Sequence, residues 1–231
     1  MTEKEFIENL EKLNIKISEK QLKDLEKYYE MLIETNKNLN LTRITEKQEV
    51  YLKHFYDSLT IAQVIDLNQN LNIIDIGTGA GFPGIVLKIV YPYLKITLLD
   101  SLEKRINFLN QVIKTLNLKD IKTVTSRIED YKEENFDIVT SRAVAKTNIL
   151  LELACQLPKK NGYFILLKSN INEELKEAQN ALKNLNLEIE TIKEIKLPKE
   201  NSKRTILKIK KLEQISNKYP RNFAKIKKNP L

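Results

Sequence analysis

The chain has 231 residues, enough for one good-sized core with a small appendage, and 42% of them are hydrophobic. The longest apolar runs have only strand length, and the charged N-terminus lacks the apolar core of a secretory signal, so we expect a cytoplasmic protein without a membrane span. With a single cysteine, Cys155, the chain forms neither an internal disulfide nor a cysteine-rich metal site, and we expect no bound metal.

The net charge of +8 is concentrated near the C-terminus. Residues 1–70 have a balance of −3 and residues 71–190 of +1, whereas residues 191–231 carry 13 basic and 3 acidic side chains. A local excess of this kind is typical of a surface that binds a polyanion. A general lysine-rich composition is the alternative, but it does not account for the localisation. The charge therefore favours nucleic acid as the partner.

Helical periodicity fills residues 1–70. Apolar residues at helical spacing predict one helix around Phe6–Leu13 and a second around Leu22–Ile33. A third helix is predicted over Glu46–Ile65, with Thr45 as its N-cap. Because this region contains neither glycine nor proline, it is predicted to be a compact helical cap and not a linker.

From residue 71 onward, short apolar runs alternate with amphipathic segments, which predicts βαβ units and a parallel sheet. The predicted strands are Asn72–Ile76, Lys95–Leu99, Lys122–Thr125, Phe136–Thr140, Gly162–Leu167, Leu187–Ile195 and Thr205–Lys210. The predicted helices are Pro83–Val90, Leu102–Leu116, Ala145–Leu157 and Asn172–Leu185. We expect this domain to cover residues 71–213, with its last two strands able to pair antiparallel. Residues 214–231 are expected to form a mobile basic tail.

The strongest signal is a glycine-dense turn between a predicted strand and a predicted helix, in which Asp75 is followed by Gly77, Gly79, Gly81 and Phe82. Glycines let a ligand approach the backbone closely. The third glycine comes one residue too early for a dinucleotide-binding fingerprint, and Phe82 stands where that fingerprint needs Gly or Ala. The D-x-G-x-G-x-G pattern instead resembles the first motif of class I methyltransferases, whose loop lies under the amino-acid moiety of S-adenosylmethionine. A plain connecting turn is the alternative.

Two further positions carry a spacing signal for a nucleoside. Asp100 ends the predicted second strand, 19 residues after the third glycine, where a carboxylate can accept both ribose hydroxyls. Ser101 is the predicted N-cap of the next helix, and a capping role for Asp100 itself is the alternative. Residues 126–130 follow the third strand, where class I methyltransferases commonly hold adenine.

The predicted fourth strand leads into Ser141-Arg142-Ala143, on the reaction side of the crevice. Arg142 is the residue there that can reach the carboxylate of the cofactor or the RNA backbone, since a guanidinium binds either group with two parallel hydrogen bonds. An ordinary surface arginine is the alternative.

Together these motifs resemble the bacterial 16S ribosomal RNA guanine-N7 methyltransferases, once called glucose-inhibited division protein B. The resemblance covers nearly the whole chain, and the matching motifs are Asn36-Lys37, Asn40-Leu-Thr42, His54-Phe-Tyr-Asp57-Ser58, Asp75–Gly84, Leu98-Leu-Asp100-Ser101, Ser126-Arg127, Ser141-Arg142-Ala143, Leu167-Lys168 and Lys218-Tyr-Pro-Arg221. It implies an α/β class I methyltransferase fold, with a mostly parallel Rossmann-like sheet, an antiparallel C-terminal strand and an N-terminal helical cap. It also implies S-adenosyl-L-methionine as cofactor and a monomer that acts on 16S ribosomal RNA or a precursor of the small ribosomal subunit.

The resemblance also implies roles for individual residues, with Arg142 as the candidate catalytic group. Five positions match cofactor contacts of the family: Gly77, Phe82, Ile128, Glu129 and Arg142. The motifs add five more candidates for the cofactor site: Asp75, Gly79, Gly81, Asp100 and Ser101. The candidates for contact with RNA are His54, Lys168, Arg204, Lys218 and Arg221. Considered by itself, His54 is more readily explained as a hydrogen-bonded structural histidine. Its match to a family motif gives equal weight to a substrate-side or cap-locking role.

Missing motifs agree with this chemistry. Methylation of an exocyclic amine usually involves an Asn/Asp-Pro-Pro-aromatic loop after the fourth strand, where this chain has Ser-Arg-Ala-Val. Carbon-5 methylation of a pyrimidine needs a nucleophilic cysteine, and Cys155 falls in a predicted helix as a structural thiol. Guanine N7 already has a free lone pair, so positioning can supply much of the catalysis, ~7–11 kcal/mol in principle.

Other functions fit the sequence less well. A methyltransferase for a small molecule, with the cap as its lid, leaves the basic C-terminal segment unexplained. A non-catalytic RNA-binding protein or an NAD-dependent oxidoreductase can share the sheet, but the glycine spacing and Phe82 disfavour the dinucleotide.

Overall fold

The described residues, 1–169, 171–200 and 202–231 of a computed structural model, build a seven-stranded sheet. Its strands are β1 Asn72–Ile76, β2 Lys95–Asp100, β3 Ile121–Thr125, β4 Phe136–Arg142, β5 Pro158–Lys168, β6 Leu187–Lys196 and β7 Lys203–Lys211. Their order is β3-β2-β1-β4-β5-β7-β6. The pairs among β1 to β5 are parallel, whereas β7 runs antiparallel to both β5 and β6. The predicted mostly parallel sheet with an antiparallel C-terminal pair is confirmed.

Helices fill the N-terminal region, as predicted. Its elements are α1 Glu3–Glu11, α2 Glu19–Leu39, α3 Lys47–Val50, a π-helical turn Tyr51–Tyr56, α4 Asp57–Leu59 and a 3₁₀ turn Thr60–Gln63. Capping boxes begin the first two helices: Thr2 pairs with Glu5, and Ser18 pairs with Gln21. The prediction of Thr45 as N-cap of the third helix is wrong, because Glu46 takes that position without a capping bond from its side chain.

The remaining helices are α5 Gly84–Val90, α6 Glu103–Thr115, α7 Thr147–Leu153, α8 Asn172–Glu177, α9 Gln179–Asn184 and α10 Phe223–Lys228. The sequence predicts α7 too long, and it predicts one helix where Ala178 separates α8 from α9. Ser101 is not the N-cap of α6, since Leu102 takes that position. None of the described helices is long and apolar enough to cross a membrane.

Alternation along the strands gives the sheet two buried faces. On one face, residues such as Ile73 pack with α5, α6 and the cap; on the other, Ile74 and its equivalents pack with α7, α9 and the C-terminal segment. Tyr28 of α2 is completely buried, and its ring lies 5.7 Å from that of Phe55 and 5.6 Å from that of Phe82. The cap therefore shares a continuous core with the sheet.

The expected mobile tail is instead folded onto α7. Ile215, Tyr219 and Ile226 are buried, and α10 ends the chain as a short helix. Arg221 donates from Nε and Nη2 to the carboxylate of Glu152, at 2.6 and 2.7 Å. The prediction of a mobile tail was based on the positive charge of the segment and did not take account of the apolar residues spaced between its lysines.

Candidate active site

Two clefts meet at the carboxyl edge of the sheet, where the chain order reverses between β1 and β4, the place where open α/β sheets bind ligands. The first, which we call the glycine-loop cleft, has a volume of about 800 Å³ and runs from Gly77 past Asp100 to Ile128. The second, the cap cleft, has a volume of about 470 Å³ and is lined by residues that include Asp57 and Arg142. Residues 143–145 line both clefts and so form a shared wall.

Asp75 shapes the glycine loop from below. It is completely buried, and its Oδ2 accepts hydrogen bonds from Thr78 Oγ1 at 2.7 Å and from Gly84 N at 2.9 Å. Burial raises the pKa of Asp75 to about 7, and those two hydrogen bonds oppose the rise. Its second oxygen, Oδ1, is buried without a hydrogen bond to any described residue.

Two glycines of the loop, both at positive φ, serve different neighbours. At Gly79, with φ +61°, an added Cβ has no neighbour closer than the carbonyl oxygen of Gly77 at 3.9 Å, so space is left above the loop for a ligand. At Gly81, with φ +105°, an added Cβ lies 2.8 Å from the hydroxyl of Tyr28. That hydroxyl donates to the carbonyl oxygen of Ala80 at 2.5 Å. Gly81 therefore makes room for the cap. The motif, which predicts a role for this glycine in ligand binding, does not predict that packing role.

Asp100 both lines the glycine-loop cleft and organises its floor. Oδ2 accepts from Gly79 N at 2.9 Å and from Arg105 Nη1 at 3.1 Å, while Oδ1 accepts from Leu102 N at 3.0 Å. The capping alternative from the sequence is wrong, because Asp100 binds the backbone N–H of Leu102, the N-cap residue of α6, and not a helical N–H, and its carboxylate still lines the cleft. Each carboxylate oxygen has two lone pairs, so Oδ1 keeps one for a hydroxyl donor.

The far end of the cleft is apolar and partly made by the C-terminal helix. Ile128 and Glu129 belong to a 3₁₀ turn, Ile128–Asp130, and line this end. Phe223 and Lys227 of α10 also line it. Neither residue was predicted from the sequence, although an aromatic residue inside a lysine-rich segment indicates a side chain that packs against the domain.

The glycine-loop cleft fits S-adenosylmethionine. Its volume lies in the range usual for small-molecule sites, about 300–1,000 Å³. Open space above Gly79, the carboxylate of Asp100 and the apolar end around Ile128 follow one another, as do the amino-acid, ribose and adenine groups of that molecule.

Arg142 is directed away from this cleft and toward the cap. Nη1 donates to the carbonyl oxygen of Lys53 at 2.9 Å and to Asp57 Oδ2 at 3.4 Å, and Nη2 donates to His54 Nδ1 at 2.9 Å. The guanidinium carbon lies 5.0 Å from the centre of the Phe82 ring. Arg142 thus joins the end of β4 to the cap, and its predicted contact with the cofactor stays a prediction.

His54 is a neutral member of the same network. Because arginine only donates, we assign His54 Nδ1 as the acceptor of the 2.9 Å contact with Arg142 and the ring proton to Nε2, 2.9 Å from Thr42 Oγ1. In this tautomer the 3.1 Å approach of Nδ1 to the carbonyl oxygen of Lys53 is not a hydrogen bond. Burial and the nearby Arg142 charge lower the pKa of His54 to about 3. Thr42 is itself held by Asn36, whose Oδ1 accepts from Thr42 N at 2.8 Å. The Asn36, Thr42 and His54 motifs of the cap are therefore one hydrogen-bonded chain that ends on Arg142.

The candidates for contact with RNA divide into two groups. His54, Lys168 and Arg204 line the cap cleft together. Lys168 donates to Ala145 O at 2.7 Å and to Glu174 Oε2 at 2.8 Å. The other two candidates lie in the C-terminal segment: Arg221 is bound to Glu152, and the Lys218 ammonium lies 5.2 Å from the centre of the neighbouring tyrosine ring. Arg221 has a structural partner that its charge alone did not predict.

Half of the predicted cofactor residues line the glycine-loop cleft: Gly77, Asp100, Ser101, Ile128 and Glu129. The others support it or lie beside it, with Asp75 and Gly81 under the loop, Phe82 and Arg142 toward the cap, and Gly79 bonded to Asp100. Among residues 1–169, 171–200 and 202–231, no group of three or more His, Cys, Asp or Glu side chains is placed to hold a metal ion.

Comparisons with known proteins agree on one family. The family model described as "GidB: rRNA small subunit methyltransferase G" matches residues 21–207. The protein named ribosomal RNA small subunit methyltransferase G from Bacillus subtilis (strain 168) is 44% identical over 237 residues, covering 100% of this chain and 99% of its own. The protein of that name from Staphylococcus carnosus (strain TM300) is 43% identical, covering 98% and 97%.

Solved structures share the fold at much lower identity. A SAM-dependent methyltransferase from Aquifex aeolicus aligns with a TM-score of 0.57 at 17% identity, over 74% of this chain and 97% of that one. Aeropyrum pernix fibrillarin, in complex with natively bound S-adenosyl-L-methionine, aligns with a TM-score of 0.54 at 13% identity, over 66% and 72%. At these identities the likeness shows the class I methyltransferase fold alone.

Proposed function

Since the chain belongs to the rRNA small subunit methyltransferase G family, we propose that it transfers the methyl group of S-adenosylmethionine to N7 of a guanine in 16S ribosomal RNA. The observation that carries this proposal is the meeting of the two clefts at residues 143–145. A cofactor in the glycine-loop cleft and a base in the cap cleft are neighbours along these residues, and the methyl group passes between them at the rim where the clefts adjoin. The substrate is 16S RNA or a precursor of the small ribosomal subunit, and the reaction takes place in the cytoplasm.

S-adenosylmethionine supplies a methyl group on a positively charged sulfur, which keeps the bonding electron pair when the methyl group leaves. The lone pair of N7 forms the new carbon–nitrogen bond, no proton is released, and the purine acquires the positive charge. The protein therefore needs to position two reactants, and it needs no general base. This agrees with a neutral His54 whose two ring nitrogens are already engaged by Arg142 and Thr42.

A pyrimidine carbon-5 mechanism is not supported by the chain's one cysteine. Cys155 is completely buried in the core on the α7 face of the sheet. Burial raises the pKa of its thiol to about 12, so it does not supply a thiolate at neutral pH. The structure thus supports attack by a nucleophile that belongs to the substrate.

The basic C-terminal segment borders the glycine-loop cleft, which supports RNA as the substrate. α10 carries Lys225, Lys227 and Lys228 in its last turn, and Lys227 lines the cleft itself. Phosphates drawn to these lysines bring RNA to the edge of the sheet where the two clefts open. Methylation of a small molecule does not require a row of lysines at the edge of the cleft.

The experiment is methyl transfer from labelled S-adenosylmethionine to small ribosomal subunits and to bare 16S RNA, both prepared from cells that lack the protein. Mass mapping and cleavage at 7-methylguanine then locate the product. We expect one guanine to acquire label at N7, and a Gly79→Val variant to give none. Label on another atom or base overturns the proposal, as does the absence of label on both substrates.

A further inference from the structure

We propose that the cap cleft is the receptor for the guanine base and that Asp57 reads its Watson–Crick edge. This rests on the proposed function and deepens it, since it assigns the site that selects the base. Enzymes that modify a base within folded RNA turn it out of its stack and read its Watson–Crick edge in a pocket. The cap cleft, about 470 Å³ and sharing a wall with the glycine-loop cleft, is a pocket of suitable size and place.

The carboxyl group of Asp57 is buried and only loosely bound. Burial raises its pKa, and the charges of Arg142 and Arg204 oppose that rise. The residue is 3% exposed, and its Oδ2 lies 3.4 Å from Arg142 Nη1. Its Oδ1 is buried with no hydrogen bond to a described residue and has Arg204 Nε as an ion-pair neighbour at 3.4 Å. Buried carboxylate oxygens are normally hydrogen-bonded, so an oxygen without a hydrogen bond, on a buried residue that lines a cleft, indicates that a donor arrives with the ligand.

Guanine is the base whose edge supplies that donor. Its N1–H and its N2 amino group lie side by side and donate in parallel to the two oxygens of one carboxylate. Adenine and cytosine each place an acceptor nitrogen beside their amino group, and uracil places its one N–H between two carbonyls. A carboxylate thus repels part of the edge of each of those bases and selects guanine.

The other groups of the cleft complete the fit. O6 of guanine, next to N1, needs a donor, and Lys168 has one N–H beyond those given to Ala145 and Glu174. Across the purine ring, N7 lies on the side opposite the N2 amino group. A guanine held by Asp57 on the cap side therefore presents N7 toward residues 143–145, the wall shared with the glycine-loop cleft.

The shared wall also governs how the two reactants meet. A Cβ added to Gly77 lies 2.5 Å from Val144 Cγ2, so this side chain covers the start of the glycine loop. Val144 is 38% exposed and lines both clefts. Its apolar side chain adds no group that competes with N7 for the methyl group.

The test is a cycle of one protein change and one base change. Small subunits are reconstituted with 16S RNA in which the mapped guanine is replaced by inosine, which lacks the N2 amino group but keeps N7, N1–H and O6. For the wild-type enzyme we expect kcat/KM to fall about 10- to 100-fold, the loss of one hydrogen bond to a charged acceptor. In Asp57→Asn both substrates should react more slowly and the guanine-to-inosine ratio should shrink, because the amide oxygen is an uncharged, weaker acceptor for N2 and the amide NH2 group opposes N1–H.

Several outcomes separate this proposal from the proposed function. Failure of the wild-type enzyme to methylate the guanine substrate overturns the function itself. Equal wild-type rates on guanine and inosine overturn the base receptor alone. The same is true of an Asp57→Asn variant that is slow on both substrates but keeps the wild-type ratio, which makes Asp57 a positioning residue only.

Controls keep the cycle interpretable. Asp66→Asn makes the same change at an exposed position of the N-terminal region and should keep both the rate and the ratio. Calorimetric binding of S-adenosylmethionine should be unchanged in Asp57→Asn, because Asp57 lines only the cap cleft. If Asp57→Asn does not fold, the wild-type enzyme is assayed on a substrate with 1-methylguanine, which lacks N1–H. A rate equal to that on guanine overturns the proposal, and a lower rate supports it.

Discussion

Replacing Arg142 with lysine tests whether the end of β4 is positioned through the cap. The guanidinium makes three contacts, with Lys53 O, His54 Nδ1 and Asp57 Oδ2. One ammonium group cannot satisfy all three in that geometry. Hydrogen bonds to charged groups are worth about 1.5–3 kcal/mol each. Losing two of them, with partial recovery by lysine, leaves a positioning loss of about 3 kcal/mol, which lowers the transfer rate roughly a hundredfold.

The assay is single-turnover methyl transfer at saturating S-adenosylmethionine and RNA, with circular dichroism to confirm folding. Arg43→Lys, the same change at an exposed position of the N-terminal region, is the control and should transfer at the wild-type rate. Cofactor affinity should be nearly unchanged, because Arg142 lines the cap cleft and is directed away from the glycine loop. A wild-type transfer rate in Arg142→Lys refutes this reasoning. A loss of cofactor affinity as large as the loss of rate means that Arg142 acts by binding the cofactor and not by positioning β4.

Further perturbations separate the parts of the site. Gly79→Val should abolish S-adenosylmethionine binding but keep the fold, whereas Gly81→Val should lower the melting temperature by displacing Tyr28; calorimetry and thermal unfolding distinguish them. Phe223→Ala should weaken cofactor binding about tenfold in calorimetry, by loss of buried contact area, and unchanged affinity removes α10 from the site. The pKa of His54 is about 3 when folded and 6.5 when unfolded, so its contribution to stability is complete above pH 6.5 and is lost as pH falls toward 3. Asp75, whose pKa is raised to about 7 when folded, acts in the opposite direction but is present in both proteins. The difference in urea unfolding between the wild type and His54→Gln from pH 7.5 to 4.5 should therefore show the His54 loss, and parallel profiles contradict it.

Local patterns predicted what depends on neighbours in sequence. The glycine turn, Asp100 at the end of β2 and the alternation of strands and helices are all set within a few residues, and the structure places them as expected. What the sequence did not predict depends on residues far apart in the chain. The direction of Arg142 is set by His54, 88 residues away, and the crowding that requires glycine at position 81 comes in part from Tyr28 of the cap, beside Ile85 and Leu109. Neither partner lies in a motif that contains the residue it acts on.

The basic C-terminal segment shows that positive charge alone does not distinguish a mobile tail from a segment folded against the domain. Glu152 is completely buried, and a buried carboxylate needs a partner, so Arg221 is required for the fold before it is available to RNA. Removing one member of such a pair typically costs about 3–5 kcal/mol. The same anchor fixes α10, which places Phe223 and Lys227 on the glycine-loop cleft. Because α10 carries lysines and also lines the cofactor cleft, its geometry ties RNA affinity to cofactor affinity. Any change that releases Arg221 from Glu152 moves the wall of the cofactor site and the lysines beside it at once.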